Sequence, residues 1–137
     1  MSVTGNYYNM DVSMHYTDIP YGVYLPTVTF TDSNSNGILT STMRVEQLNT
    51  LGFTGFYEAN FDNNLHTLDE SAFEDDDKVC VVTINKVQTI KQKCFKNCVN
   101  IRAIKLDTAV DNNNKYLISY INNAVFYNCQ ALKQIYI

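Results

Sequence analysis

The second half of the chain repeats one hydrophobic pattern three times, each copy centred on a phenylalanine. The phenylalanines are Phe73, Phe95 and Phe126, and aliphatic residues occupy the sixth, ninth and eleventh positions after each of them. The eighth and fifth positions before each phenylalanine are also aliphatic. The residues concerned are Val79, Val82, Ile84, Ile101, Ile104, Leu106, Leu132, Ile135 and Ile137 after it, and Leu65, Leu68, Val87, Ile90, Ile118 and Ile121 before it.

The copies are 22 residues apart between Phe73 and Phe95, and 31 residues apart between Phe95 and Phe126. The extra length falls in the polar stretch 107–116, which predicts a loop at one point of the repeat. Periods in the low twenties are typical of repeat proteins, because a unit of that size cannot bury its apolar side alone. We therefore expect the units to stack, with the three phenylalanines in a single column.

Each unit is predicted to contain a short strand followed by a turn. Residues 82–84, 104–106 and 135–137 alternate with the period of two that indicates a strand with one buried face. Stacked units would make these strands parallel. The segment 93–98 has few β-branched residues and predicts a helical or 3₁₀ turn with its Phe and Cys pointing inward.

A hairpin and a helix are predicted in the first half. Residues 26–31 alternate with β-branched side chains, residues 32–37 are turn-forming, and residues 38–42 are predicted to return as the partner strand. Apolar residues then recur at a spacing of three before Gly52, which predicts a short helix that ends at the glycine and caps the repeats. They are Val45, Leu48 and Leu51.

A further, degraded repeat is an open alternative between this helix and residue 64. Phe53, Phe56, Ala59 and Phe61 follow at offsets like those of Cys98, Ile101, Ile104 and Leu106. The pattern alone does not choose between a fourth repeat and an unrelated connection.

The third copy reads A-V-F-Y-N-C-Q-A-L-K-Q-I-Y-I, and residues 65–137 resemble BspA-like leucine-rich repeats, whose signature is A-F-x-x-C-x-x-L-x-x-I-x-I. Departures are Asp76 in place of Cys, Cys94 and Val125 at the small position before Phe, and Asn85 or Asp107 at the usual proline. The resemblance implies a leucine-rich-repeat solenoid. Together with the predicted hairpin and helix, the expected fold is an α+β repeat structure, in which a solenoid of three to four coils follows a small β-rich region with the hairpin and capping helix. The resemblance also implies a non-catalytic surface or adhesive module.

Composition places a domain boundary near residue 64. All five glycines and both prolines lie in residues 1–64, whereas residues 65–137 contain neither. We therefore expect an N-terminal docking or capping region, 1–64, and a solenoid, 65–137.

The opening 24 residues are rich in tyrosine and have neither the basic start nor the apolar run of a secretory signal. Tyrosine gives a large contact area at modest entropic cost, so Tyr7, Tyr8 and Tyr16 are candidate contacts with another subunit. The alternative is an edge strand packed on its own domain.

Charge is divided between the two halves of the chain. Residues 1–77 carry twelve acidic side chains and one basic one, a net charge of −11. Residues 78–137 carry nine basic and two acidic side chains, a net charge of +7. Nucleic-acid binding is one interpretation of the basic half, but its phenylalanines belong to the repeat core, and contact with an acidic protein surface fits better. Lys105, Lys133 and Tyr136 are the candidate contacts.

Two segments of the chain partly match metal-binding patterns, and neither favours a metal site. Residues 32–37 match the front of a Ca²⁺ loop, but Met43 stands where the loop needs a bidentate carboxylate, so a turn is the preferred interpretation. Cys94 and Cys98 are four residues apart, but neither His15 nor His66 has a matching zinc spacing. No metal or cofactor is predicted.

The four cysteines are interpreted as buried thiols of the repeat core. Cys98 and Cys129 occupy equivalent positions in adjacent units, at a spacing that a disulfide tolerates, so that bond remains an alternative. Reduced thiols are the default in a chain without an export signal.

No nucleophile elbow, phosphate-binding glycine loop or paired carboxylates are recognisable, so an enzyme is not expected. We expect a protein-interaction or assembly module of a cell-surface, adhesin-like protein or larger complex. A structural or attachment component of a phage virion and an accessory domain of a carbohydrate-active enzyme are the alternatives.

The last residue, Ile137, is itself an inward strand position of the pattern. An uncapped unit exposes an apolar flank and a strand edge. We therefore expect a protein partner, or other copies of the chain, to cover this end and the tyrosine-rich start; no apolar run is long enough to span a membrane. The location is predicted to be extracellular from the resemblance, or a virion from the missing signal.

Overall fold

The computed structural model describes residues 25–105, 120–121 and 124–136, and for residues 120–121 and 134–136 it describes the main chain. Predictions that concern residues 1–24, 106–119, 122–123 and 137 lie outside the described residues. The elements are β1 (Thr27–Phe30), β2 (Ile38–Leu39), α1 (Ser41–Leu51), β3 (Tyr57–Phe61), β4 (Thr67–Leu68), β5 (Val79–Thr83), β6 (Thr89–Ile90), β7 (Ala103–Lys105), β8 (Tyr120–Ile121) and β9 (Gln134–Tyr136).

Successive strands belong alternately to two sheets. Sheet A has the order β1-β3-β5-β7-β9, sheet B has the order β2-β4-β6-β8, and their strands pair in parallel. The described part of the chain is thus an α+β structure with parallel strands in two sheets and one helix, which confirms the predicted class. We call a sheet A strand, the next sheet B strand and the turn that follows them a unit; α1 replaces the turn in the first unit.

The hydrophobic pattern fixes the register of sheet A. Val82 pairs with Ile104, and Ile104 pairs with Ile135, so equivalent positions of successive copies are neighbours. Ala59 pairs with Val82 in the same row, the position that the offsets of the suggested further repeat give it. The predicted domain boundary falls between β3 and β4, inside this second unit, and strand pairing continues across it in both sheets.

The phenylalanines of the repeat form one column through the core. The ring centroids of Phe73 and Phe95 are 5.1 Å apart, and those of Phe95 and Phe126 are 5.8 Å apart, both pairs stacked. Phe30 and Phe61 extend this cluster at the other end, with centroids 5.4 and 5.9 Å from Phe73. The predicted column is therefore confirmed, and pairs of this kind add about 0.5–1.5 kcal/mol each beyond their buried area.

The described aliphatic positions of the pattern fill the space around this column. Those at most 1% exposed are Leu65, Leu68, Val79, Val82, Ile84, Val87, Ile90, Ile101 and Ile104. Leu132 is partly buried against the same core.

The turns around the phenylalanines bury Phe95 and Cys98 as predicted, but they are tight turns rather than the predicted helical or 3₁₀ segment. Each has residues of left-handed main-chain conformation two positions before and two after its phenylalanine, such as Lys93 and Asn97 at φ 60° and 61°. A right-handed helix cannot continue through such residues, so hydrogen bonds between residues three apart close separate tight turns, as from Cys98 N–H to the Phe95 carbonyl. Main-chain bonds then join successive turns, as from Phe73 N–H to the Cys94 carbonyl at 2.7 Å.

The predicted hairpin is wrong. β1 and β2 belong to different sheets and pair in parallel with β3 and β4. The intervening turn carries the chain from sheet A to sheet B, and in it the Asp32 carboxylate accepts hydrogen bonds from the N–H groups of Asn36 and Gly37. Gly37 has φ 76°, and a Cβ there would lie 2.1 Å from Nε2 of His66.

The predicted helix is confirmed, and so is its end at Gly52. α1 begins after Thr40, whose side chain accepts the N–H of Met43, and ends at Gly52 with φ 67°. Met43 is the buried residue of α1, whereas Val45 and Leu51 are 44% and 62% exposed. Leu48, between them, is partly buried against the core, so the three evenly spaced residues do not share one environment.

Candidate interaction surface

The structure brings three of the predicted contact residues together on sheet A. Lys105 of β7 pairs with Tyr136 of β9, and the N–H of Lys133, just before β9, donates to the Arg102 carbonyl at 3.2 Å. The side chain of Tyr136 lies outside the described residues. The remaining candidates, Tyr7, Tyr8 and Tyr16, also lie outside the described residues.

Lys105 belongs to the outward face of sheet A. Its neighbour Ile104 is 1% exposed and points into the core, and successive side chains of a strand point to opposite faces. Thr83 pairs with Lys105, and its hydroxyl lies 3.4 Å from Oε2 of Glu58, whereas Val81 and Ala103 on the same face are 4% and 5% exposed. Lys133 is exposed.

Because the strands of sheet A follow one another in chain order, acidic and basic residues that are separated along the chain are also separated in the folded structure. Described residues 25–77 carry ten acidic side chains and one basic side chain, Arg44, for a net charge of −9. Described residues 78–105 and 124–136 carry eight basic side chains and no acidic one, for a net charge of +8. Since β1 and β3 lie at one end of sheet A and β7 and β9 at the other, the charges of opposite sign occupy opposite ends.

A cleft of about 380 Å³ lies at the acidic end, between α1 and the start of β5. One wall is largely apolar and comes from α1 and the segment before β3, with Val45, Leu48 and Phe53. The other wall is acidic and comes from the end of the turn at 69–76, with Asp75, Asp76 and Asp77.

A buried ion pair holds these walls together. Nη1 of Arg44 lies 3.0 Å from Oδ2 of Asp76, and the Tyr57 hydroxyl donates to the same oxygen at 2.6 Å. The other oxygen of Asp76 accepts the N–H groups of Lys78 and Val79. Burial, and then the Asp76 carboxylate, raise the pKa of Tyr57 well above its usual value, so the hydroxyl remains a donor.

Sequence reasoning missed this cluster, although the chain contained a signal for it. Asp76 occupies the repeat position that Cys98 and Cys129 fill in later copies, and Arg44 is the single basic residue of the first 77. A carboxylate at a buried repeat position requires a partner, and Arg44 was the available cation. The pair is separated by 32 residues, and no local pattern predicts that contact.

The cysteines that replace this carboxylate link one unit to the one before it. Sγ of Cys98 donates to the Phe73 carbonyl at 2.9 Å, and Sγ of Cys129 donates to the Phe95 carbonyl at 3.1 Å. All four cysteines are free thiols, as the default interpretation predicted. Burial raises the pKa of each thiol, that of Cys129 to about 11, so all four stay protonated near neutral pH.

The turn interpretation of residues 32–37 is supported by the use of their oxygen atoms. Both carboxylate oxygens of Asp32 accept main-chain N–H groups, and the Asn36 side chain accepts from Ile38 N–H. The Asn34 amide contacts Sδ of Met43. Within the described ranges, no cluster of three or more His, Cys, Asp or Glu residues is suited to hold a metal ion.

A polar ladder runs along the turns two positions after each phenylalanine. The Asn97 amide donates to Asp75 at 2.8 Å, the Asn128 amide donates to Asn97 at 3.1 Å, and Gln130 donates to Asn128 at 2.9 Å. Asp75, Asn97 and Asn128 have left-handed main-chain conformations, which Asn and Asp tolerate better than most residues. The ladder fixes the turns relative to one another.

Comparison with protein-family models, with curated proteins and with solved structures finds no match. In the part of the chain that the structure describes, no helix has the length and apolar character needed to cross a membrane.

Proposed function

We propose that this chain is a non-catalytic protein-interaction or assembly module, built as a leucine-rich-repeat solenoid of the BspA-like type. Its binding surface is the outward face of sheet A at the basic end, with Lys105 in β7 and Lys133 just before β9. The partner is a protein with an acidic surface.

The observation that carries this proposal is the parallel pairing of sheet A through five strands, with equivalent positions of β5, β7 and β9 in register. Identical offsets in successive units place their outward side chains in continuous rows, which is how a repeat protein presents an extended surface. Two-residue strands such as β4 and β6 cannot fold alone, so stacking of units is the source of the rigidity that such a surface requires.

The chemistry of the cleft also favours binding over catalysis. The carboxylate of Asp76 already accepts four hydrogen bonds from Arg44, Tyr57 and two main-chain N–H groups. A general base or nucleophile needs a lone pair directed at a substrate. The lone pairs of Asp76 instead accept hydrogen bonds from groups within the chain. We therefore give Asp76 a structural role.

The experiment measures binding of the immobilised chain to purified acidic, neutral and basic proteins and to polysaccharides, by biolayer interferometry. We expect saturable binding to acidic proteins, with an affinity about 10-fold weaker for Lys105→Glu or Lys133→Glu. Lys86→Glu is the matched control, because Lys86 is exposed but lies between β5 and β6, outside sheet A. Binding to polysaccharides that these variants leave unchanged would support the carbohydrate alternative, and equal losses in all three variants would contradict the proposed face.

A further inference from the structure

One side of the molecule consists of α1 and the turns at 69–76, 91–98 and 124–129. Each lies between a sheet B strand and the next sheet A strand, and we call this surface the turn side. Nε of Arg44 in α1 donates to the Ala72 carbonyl at 2.7 Å, and main-chain hydrogen bonds join the turns to one another. The four segments therefore follow one another in order along the molecule.

The exposed chemistry of the turn side changes from layer to layer. α1 exposes Val45 and Leu51 among polar side chains, and the turn at 124–129 exposes Tyr127 at 62%. These three are the large hydrophobic side chains that the described residues leave exposed. Between them lie an acidic turn and a basic turn: the first carries Asp69, Glu70, Glu74 and Asp75, and the second Lys91, Lys93 and Lys96.

The order along the turn side is therefore the exposed apolar side chains of α1, an acidic turn, a basic turn and an aromatic side chain. When a second copy is turned end to end, its acidic turn faces the basic turn and its aromatic side chain faces the apolar side chains of α1. A two-fold axis between the acidic and basic turns places the acidic turn of one copy on the basic turn of the other, twice. It also places Tyr127 of each copy on the apolar side chains of α1 and the cleft of the other. Two-fold dimers use one self-complementary patch in this way and are the commonest oligomers. We propose that the turn side is the interface of an antiparallel homodimer.

Particular residues meet under this rotation. Glu74, Lys96 and Tyr127 each follow their phenylalanine by one position, so they form one row along the turn side. The carbonyls of Lys96 and Tyr127 accept the N–H groups of Asp75 and Asn97, which fixes the spacing of that row. A two-fold axis that places the row of one copy along the row of the other, in the opposite direction, sets Glu74 of one copy against Lys96 of the other.

A second copy fits this surface better than another segment of the chain. Residues 1–24 contain two acidic side chains and no Lys or Arg, so they cannot neutralise the acidic turn. A partner of uniform charge would be repelled by one of the two central turns. Four layers at strand spacing span only about 15 Å, so the dimer is weak and reversible, and charge decides its orientation.

Sedimentation velocity over a wide range of protein concentrations tests the dimer, with circular dichroism to confirm folding of each variant. We expect the wild type to dimerise reversibly, and the dissociation constant to rise several-fold at about 1 M salt, where charges are screened within about 3 Å. Glu74→Lys and Lys96→Glu each set like charges against each other, so we expect each variant alone to dimerise at least about 10-fold more weakly.

Mixing gives the sharper result. The Glu74→Lys variant carries a positive charge at both positions, and the Lys96→Glu variant carries a negative charge at both. Equal amounts of the two variants should therefore form a heterodimer as tight as the wild-type dimer. The double variant Glu74→Lys with Lys96→Glu should likewise dimerise alone, and Lys86→Glu, away from the turn side, should change nothing. A wild type that stays monomeric, assemblies larger than a dimer, or a mixture that stays monomeric would overturn the proposal.

These outcomes are separate from the test of the proposed function. Lys105 lies in β7 and Lys133 just before β9, rather than on the turn side, so their variants should leave the dimer intact. A chain that binds acidic proteins as expected but does not dimerise would reject only the proposed dimer. A chain that dimerises as expected but does not bind acidic proteins through Lys105 and Lys133 would reject only the proposed sheet A surface.

Discussion

Asp76 shows how one residue alters a repeat without disturbing its geometry. In later units the same position holds a thiol that donates to the carbonyl of the preceding phenylalanine. In the second unit, the unit before it has α1 in place of a turn, and the carboxylate binds Arg44 of that helix instead. The substitution therefore adapts the repeat to its helical neighbour.

Asp76→Asn should lower the free energy of unfolding by about 2–4 kcal/mol, because it leaves the guanidinium of Arg44, whose side chain is 12% exposed, without its countercharge. Urea unfolding followed by circular dichroism measures the loss. Asp76→Asn with Arg44→Met should recover part of the stability, since the double variant buries no charge. A single variant within about 0.5 kcal/mol of the wild type would show that the pair is not needed.

The thiols give a second prediction at this scale, the dependence of stability on pH. Burial raises the folded-state pKa of the four thiols above the unfolded value of 9.0, that of Cys129 to about 11. Above pH 9 the unfolded chain therefore releases protons that the folded chain keeps, so the unfolded state binds fewer protons and stability falls as pH rises. The contribution is fully present below about pH 8 and declines as the pH rises through 9.

Urea unfolding between about pH 8 and pH 10.5 should show this decline. Cys98→Ser keeps a donor for the Phe73 carbonyl but removes one titrating group, so its stability should fall less steeply with pH. Equal slopes for the two proteins would argue that Cys98 does not contribute.

At the scale of elements, the position of each phenylalanine in the column determines how much it contributes to the free energy of unfolding. Phe95 is fully buried and stacks on Phe73 and Phe126, whereas Phe126 is only partly buried. Phe95→Ala should cost about 3–5 kcal/mol because it opens a cavity between two neighbours. Phe126→Ala should cost about 1–2 kcal/mol. Chemical denaturation compares them, and equal losses would count against a column whose middle member carries the most packing.

The elements also show what the sequence could predict. The spacing of aliphatic residues predicted the parallel strands and their register, because period and burial are properties of neighbouring residues in the chain. The hairpin failed, because Asp32 and Gly37 form the same tight turn whether the chain folds back within a sheet or crosses to another. The spacing of Val45, Leu48 and Leu51 predicted the helix but not its buried face, which Met43 provides in response to contacts distant in sequence.

On the scale of the whole molecule, charge separation should dominate behaviour in solution. The chain has a net charge of −4, yet its described basic units carry +8. An ion exchanger responds to local patches within about a Debye length, roughly 10 Å at 0.1 M salt. We therefore expect retention on both anion and cation exchangers at neutral pH and low salt.

Salt-gradient elution measures this retention. Lys91→Glu with Lys96→Glu should remove most of the binding to the cation exchanger, while Glu46→Lys, at the acidic end, should preserve it. A wild type that passes through the cation exchanger unretained would mean that opposite charges are mixed on the surface rather than separated.

The hydrogen bonds between turns have a consequence for the growth of such proteins. Main-chain groups and residues at equivalent positions make these bonds, so the second and third phenylalanine-centred turns offer each other the same donors and acceptors. Duplication of the 66 nucleotides that encode one 22-residue period would add a strand to each sheet and leave the existing contacts in place. Length is therefore a quantity that a single recombination event, or a protein engineer, can change in steps of one unit.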